Sequence, residues 1–169
     1  MFFDGASRIG PKGRIIAGVG VVFISPQNHV LRAFSLTESC SNNVAEYNAL
    51  LIGLQLAHEM GVSYLEAYGV SKLIINQVKG EYEVRHEDLV SYYHTVIKLA
   101  NLFDDFYIGH VSRSQNTKAD ALAALATTLA LPVDTECHLT VATRYLVCSK
   151  HMFRTKEVYN ISTNLKLRD

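Results

Sequence analysis

The chain has no tryptophan, only three cysteines and three prolines, and no net charge across its 169 residues. Each scarcity removes a class of protein. Cys40, Cys137 and Cys148 are odd in number and scattered, lacking the spacing of a zinc site or the even count of a disulfide framework. Reduced thiols and an intracellular protein, cytoplasmic or nuclear, are expected. No apolar run is long enough to cross a bilayer and no signal-peptide pattern opens the sequence, so no membrane partner is expected. A formal charge of zero supplies no global attraction for nucleic acid.

The charge is nevertheless uneven. Residues 1–137 hold ten Lys/Arg against fourteen Asp/Glu, whereas residues 138–169 hold six against two. An acidic body that meets a polyanion needs metal ions or local basic patches to offset repulsion. The length suits one domain with a real core, read as residues 1–131, followed by a basic tail or linker over 132–169. In that tail Leu139–Cys148 is apolar and fits strand and helix templates equally well. The tail either adds salt-sensitive affinity for nucleic acid or acts as a linker or remnant.

Ile15–Ser25 is a β-rich run in which Gly18 and Gly20 imply a bulge or a close backbone approach. After a turn at Pro26–Asn28, His29–Leu36 returns, and with the first residues these segments make an antiparallel meander. Only three apolar residues precede Asp4, which predicts a clipped first strand, with Arg8–Gly13 as a loop. A helix opens in Ser41–Leu51, capped by Asn42 or Asn43, and runs to about Met60 before Gly61 stops it. Tyr64–Gly69 reads as a strand in parallel, because no hairpin route leads back to it. Helices over Ser71–Val78 and Glu87–Phe103, a strand over Phe106–Val111 and a helix over Thr117–Leu129 complete the order. The fold class is α/β: a five-stranded mixed sheet, its first three strands antiparallel and its last two parallel, flanked by helices.

Three acids fall where a polar residue is least expected. Asp4 follows Phe2-Phe3, Glu46 shares a helical stripe with Leu50, Gly53 and Ala57, and Asp120 lies among small apolar residues in Lys118–Ala124. Taken singly they read as a turn former, a capping-box-like acid and a first-turn acid favoured by the helix dipole. Gathered in one place they would repel unless a cation sat among them, and hard oxygen ligands suit Mg²⁺ or Mn²⁺.

The blocks Asp4-Gly5-Ala6-Ser7, Ser41–Glu46, Tyr68–Leu73 and His110–Asp120 resemble, in order and spacing, the four signature blocks of ribonuclease H. The variety they resemble is that of plant retrotransposon polyproteins, which implies a polyprotein context with reverse transcriptase and integrase, and a monomeric domain. The resemblance covers roughly residues 1–131. It implies hydrolysis of the RNA strand of an RNA/DNA hybrid by two divalent ions, Mg²⁺ or Mn²⁺, that clamp the attacking and leaving oxygens. By position it makes Asp4, Glu46 and Asp120 metal ligands and His110 an aid to proton transfer or product release. It places Gly5, Asn42, Asn43, Ser71 and Asn116 on the substrate-binding surface, where a 2′-OH can be sensed.

Two features depart from the pattern. Where the family carries a fourth acid, this chain has Val70, and the nearest upstream acid, Glu66, lies about 13 Å away along an extended strand. Catalysis is therefore expected to be weak or absent, with the two-ion site reduced to one ion. The connector Lys79–His86 is also too short for the basic extra helix that some members use to grip the hybrid. Two rival readings follow: a non-catalytic hybrid-binding module, and a folded retroelement remnant without activity. An integrase-like nuclease fits the Asn-Asn-x-x-Glu and His-x5-Asn-x3-Asp spacings less well.

Overall fold

A computed structural model describes residues 1–27, 29–36 and 38–129, together with the strand backbones of 136–142 and 158–164. Strands β1 (Phe2–Ile9), β2 (Ile15–Ile24) and β3 (His29–Leu36) form the antiparallel meander. Helix α1 (Asn42–Glu59) leads to β4 (Tyr64–Gly69), and α2 (Lys72–Val78) and α3 (Glu87–Ala100) lead to β5 (Asp105–His110). Helix α4 (Thr117–Leu129) closes the domain. The sheet order is β3-β2-β1-β4-β5, with β4 parallel to both β1 and β5; an antiparallel first three strands and a parallel last two are what the sequence predicts. Two further strands, β6 (Glu136–Ala142) and β7 (Val158–Asn164), pair antiparallel in a separate sheet. The rest of the apolar stretch ending at Cys148, and Asn28 of the expected turn, lie outside the described residues. Among the described residues no helix is long and apolar enough to cross a membrane.

The first strand does not end at Asp4. It pairs with β2 through eight consecutive residues, from Phe2 opposite Val22 to Ile9 opposite Ile15, so Asp4 stands inside a strand. Ser7 and Arg8 lack strand-forming side chains, and the continuous ladder with the apolar β2 holds them extended instead. Helix α3 ends at Ala100, three residues earlier than its apolar pattern suggests, and β5 begins one residue early, at Asp105.

Alternation along β2 sends Val19, Val21 and Phe23 into the main core with Tyr47, Leu50 and Leu54 of α1, and Val96 of α3 joins them. The opposite face carries Val22, which packs with Ala33 and with Ala119, Leu122 and Ala126 of α4. No bulge interrupts β2 at its glycines. They permit a close approach: a Cβ on Gly18 would stand 2.5 Å from the Ala123 carbonyl oxygen, and one on Gly20 would collide with that of Ala119. Helix α4 therefore lies directly on the β2 backbone. That contact delivers Asp120, in the first turn of α4, to β1.

Candidate active site

Helix α1 is capped by Ser41, whose hydroxyl accepts from Val44 N–H at 3.3 Å, and not by Asn42 or Asn43. Asn42 is engaged elsewhere. Its Oδ1 accepts from both the backbone N–H of Ser7, at 3.1 Å, and the Ser7 hydroxyl, at 2.5 Å. A backbone N–H can only donate, so the carboxamide oxygen must face β1, and its NH₂ group points away. Asn43 is exposed in the first turn beside it.

This clamp sets the start of α1 over β1, and Gly5 makes the contact possible. A Cβ there would overlap the backbone of Ala45 and Glu46. Gly5 also supplies a backbone hydrogen bond that favours the charged form of Glu46. Gly5→Ala should therefore drive α1 away and destabilise the domain by about 3 kcal/mol, the upper end of the cost of overpacking. Urea denaturation followed by circular dichroism reads this directly; a loss under 1 kcal/mol would show that the helix yields easily.

Asp4 and Glu46 are both buried, at 5% and 8% exposure, and their side chains meet. On its other side Asp4 meets Asp120. Burial, then the neighbouring Asp120, pushes the Asp4 carboxyl up to about 6. Burial, then the charge of Asp4, pushes Glu46 up to about 8. Carboxylates in such contact share protons unless a cation replaces them. Arg113, in the short 3-10 turn Arg113–Gln115 before α4, opposes both shifts through its positive charge. Sequence reasoning passed over Arg113, because an arginine in a polar loop carries no periodic signal.

Asn116 ends that turn. It is 1% exposed, and its Nδ2 donates to the carbonyl of Phe3 at 3.0 Å, tying the start of α4 to the residue before Asp4. It thus lies beneath the acids and not at the surface. Among the described residues, two buried oxygens here have no hydrogen-bond partner, Glu46 Oε2 and Asn116 Oδ1. His110 is exposed at the end of β5, backbone-paired with Gly69, and makes no hydrogen bond or ion pair with the three acids among the described residues. Ser71 caps α2 by accepting from Ile74 N–H at 3.4 Å. Val70 is half-buried just beyond β4, and Glu66 is bound on the strand by the Tyr68 hydroxyl at 2.8 Å.

The donor chemistry fits a hard cation. The acids offer only oxygen, and Glu46 Oε2 is a buried acceptor that a cation would satisfy. As placed, however, Asp4 links the other two pairwise, and among the described residues no three His, Cys, Asp or Glu side chains surround a common point. The acids must turn from each other to share one ion.

A sheet ordered β3-β2-β1-β4-β5, with acids converging from β1, α1 and α4, defines a ribonuclease H fold. The chain belongs to the ribonuclease H-like family: the family model described as "Reverse transcriptase-like" matches residues 3–126. It is 37% identical over 123 residues to "Ribonuclease HI" of Halobacterium salinarum, a match covering 72% of this chain and 60% of that protein. The crystal structure of RNase H1 from the same archaeon superposes with a TM-score of 0.66 at 35% identity, covering 74% of this chain and 93% of that one. LC11-RNase H1, solved in complex with an RNA/DNA hybrid, superposes with a TM-score of 0.67 at 28% identity, covering 78% and 97%. It was isolated from compost by a metagenomic approach.

Proposed function

We propose that this chain binds RNA/DNA hybrids and hydrolyses their RNA strand slowly, with a divalent cation held by Asp4, Glu46 and Asp120. The observation that carries this reading is the contact of three acids from three separate elements, one of them with an orphaned buried oxygen. Mg²⁺ or Mn²⁺ held there would activate water and neutralise charge developing on the phosphate. Val70 brings no oxygen to the fourth position, which favours one ion over two. Arg113 adds a fixed positive charge near Asp4 and Glu46, and His110, exposed at the end of β5, is the residue the resemblance makes an aid to proton transfer or product release. Asn42 turns its NH₂ away from β1, leaving a donor suited to the ribose 2′-oxygen that distinguishes RNA from DNA.

The test uses a labelled RNA/DNA hybrid with Mg²⁺ or Mn²⁺ and the full chain. Slow cleavage that Glu46→Gln lowers by about 10²-fold or more is expected, the size of effect seen when one electrostatic group is removed from an active site. No cleavage but firm binding would support a non-catalytic hybrid-binding module, a second reading that Val70 specifically favours. Neither cleavage nor binding would sink both.

A further inference from the structure

The domain gathers its unopposed positive charge in the meander. Residues 5–37, which hold β1 beyond Asp4 together with β2 and β3, carry four Lys/Arg and no acid, whereas residues 38–129 carry six against eleven. Three of the four, Arg8, Lys12 and Arg14, flank or form the β1–β2 turn. Arg8 is already engaged: its guanidinium donates twice to the Thr127 carbonyl at the end of α4, at 2.7 and 3.2 Å. Lys12 and Arg14 are exposed, and among the described residues their side chains have no hydrogen-bond or ion-pair partner. The turn that carries them is closed by the Gly10 N–H, which donates to the Arg14 carbonyl at 2.7 Å. Below it Ile9 and Ile15 stand opposite each other, 77% and 40% exposed. One acid approaches from β3: Glu38 comes two residues after Leu36, which pairs with Ala17. It leaves the tip with an excess of cations.

We propose that this hairpin tip is a second contact for the RNA/DNA hybrid, with Lys12 and Arg14 on backbone phosphates and the Ile9–Ile15 pair against a groove edge. The inference rests on the proposed hybrid binding and not on cleavage. Strand β1 supplies the alignment. Side chains alternate along a strand, so positions 5, 7 and 9 share one face. Gly5 lies against the start of α1 beside Glu46, Ser7 holds Asn42, and Ile9 comes next with its partner Ile15. The acid contact, the Asn42 amide and the hairpin tip thus follow one another along a single line. Ile9 lies about 17 Å beyond Asp4 at roughly 3.3 Å per residue, or about five base pairs of duplex at about 3.4 Å each. A duplex seated on the acids and running along β1 therefore meets the cations of the turn. Its phosphates are repelled by the acidic remainder of the domain and attracted here. Phosphate contacts of this kind fix register and orientation without reading sequence, and exposed apolar side chains can pack into a minor groove between them.

The experiment follows the full chain binding a labelled RNA/DNA hybrid, long enough to span acids and tip, by fluorescence anisotropy over a range of KCl in chelator. Lys12→Gln/Arg14→Gln removes two phosphate contacts. The slope of log affinity against log salt should then fall by about 1.4–1.8, at about 0.7–0.9 per phosphate, with affinity about 10-fold weaker at low salt. Arg85→Gln/Lys98→Gln removes the same charge from the acidic part of the domain and should leave the slope within about 0.5 of the unaltered one. A Lys12→Gln/Arg14→Gln slope equal to that of the unaltered chain or of this control, with the hybrid still bound, overturns the inference alone. No binding by the unaltered chain in either chelator or Mg²⁺ overturns it together with the proposed function. Self-association that Ile9→Thr/Ile15→Thr abolishes, with hybrid affinity unchanged, would make the tip a protein contact and overturn its assignment to the duplex.

Discussion

Changing Val70 to Asp is expected to raise Mg²⁺-dependent cleavage of the RNA strand by about 10²–10³-fold, the scale of one preorganised electrostatic group. Val70 sits just past the end of β4, the strand beside β1, and is half-buried. On the proposed function, an aspartate there would supply an oxygen to a second cation. The same substitution carries a cost that can be measured without any substrate. A fourth carboxylate beside Asp4 and Glu46, whose protons are already held by mutual repulsion and burial, adds like charge in the metal-free protein. In chelator at neutral pH the Val70→Asp protein should therefore melt at a lower temperature than the unaltered one. Robust cleavage by the unaltered chain would overturn the first expectation, and an equal or higher melting temperature would overturn the second.

Metal-free stability should fall as pH rises from about 5 to about 8.5. Asp4 and Glu46 have carboxyls raised from 3.8 and 4.5 in the unfolded chain to about 6 and about 8 in the fold. Across that window the folded protein keeps protons that the unfolded chain has released, so raising the pH favours unfolding. The expected loss is about 5 °C or more, since one pKa unit is worth about 1.4 kcal/mol and each kcal/mol shifts melting by about 2–4 °C at this chain length. Glu46→Gln removes the larger titration and should flatten the profile. Millimolar Mg²⁺ should restore stability at the alkaline end, where a cation takes the place of the protons. A melting temperature that stays level or climbs between pH 5 and 8.5 in chelator would contradict the shared-proton arrangement.

Much of this fold is legible because punctuation and period agree. His29–Leu36, Tyr64–Gly69 and Thr117–Leu129 have the same bounds in the sequence reading and in the structure. Length was harder to read where pairing outweighs propensity. The second half of β1 is small and polar, and its extension comes from the β2 ladder, a partner no local window sees. The cap of α1 was misjudged for a related reason. Ser41, Asn42 and Asn43 are all competent caps, and Asn42 is drawn away by Ser7, 35 residues earlier. The acids Asp4, Glu46 and Asp120 were visible as polar residues in apolar surroundings, and the structure brings them into contact. Arg113 was not, since nothing in a solvated loop tells which charge the fold will set near the acids. Nor did the sequence tell Asn116, a buried tether, from a surface contact.

The glycine slot in β2 also has a mechanical meaning. Where side chains separate two elements, a core substitution can be absorbed by a small slide of one over the other. Between β2 and α4 at Gly18 and Gly20 the backbones touch, leaving no compressible layer. The height of Asp120 above the sheet is then fixed by covalent geometry and not by the choice of core residues. Substitutions in the main core around Leu50 or Val96, on the other face, can change the stability of the domain and leave the spacing of Asp120 from Asp4 almost unaltered. Any side chain at Gly20 would act like a shim under a bearing, tilting the helix and opening the acid contact while the rest of the protein stays folded.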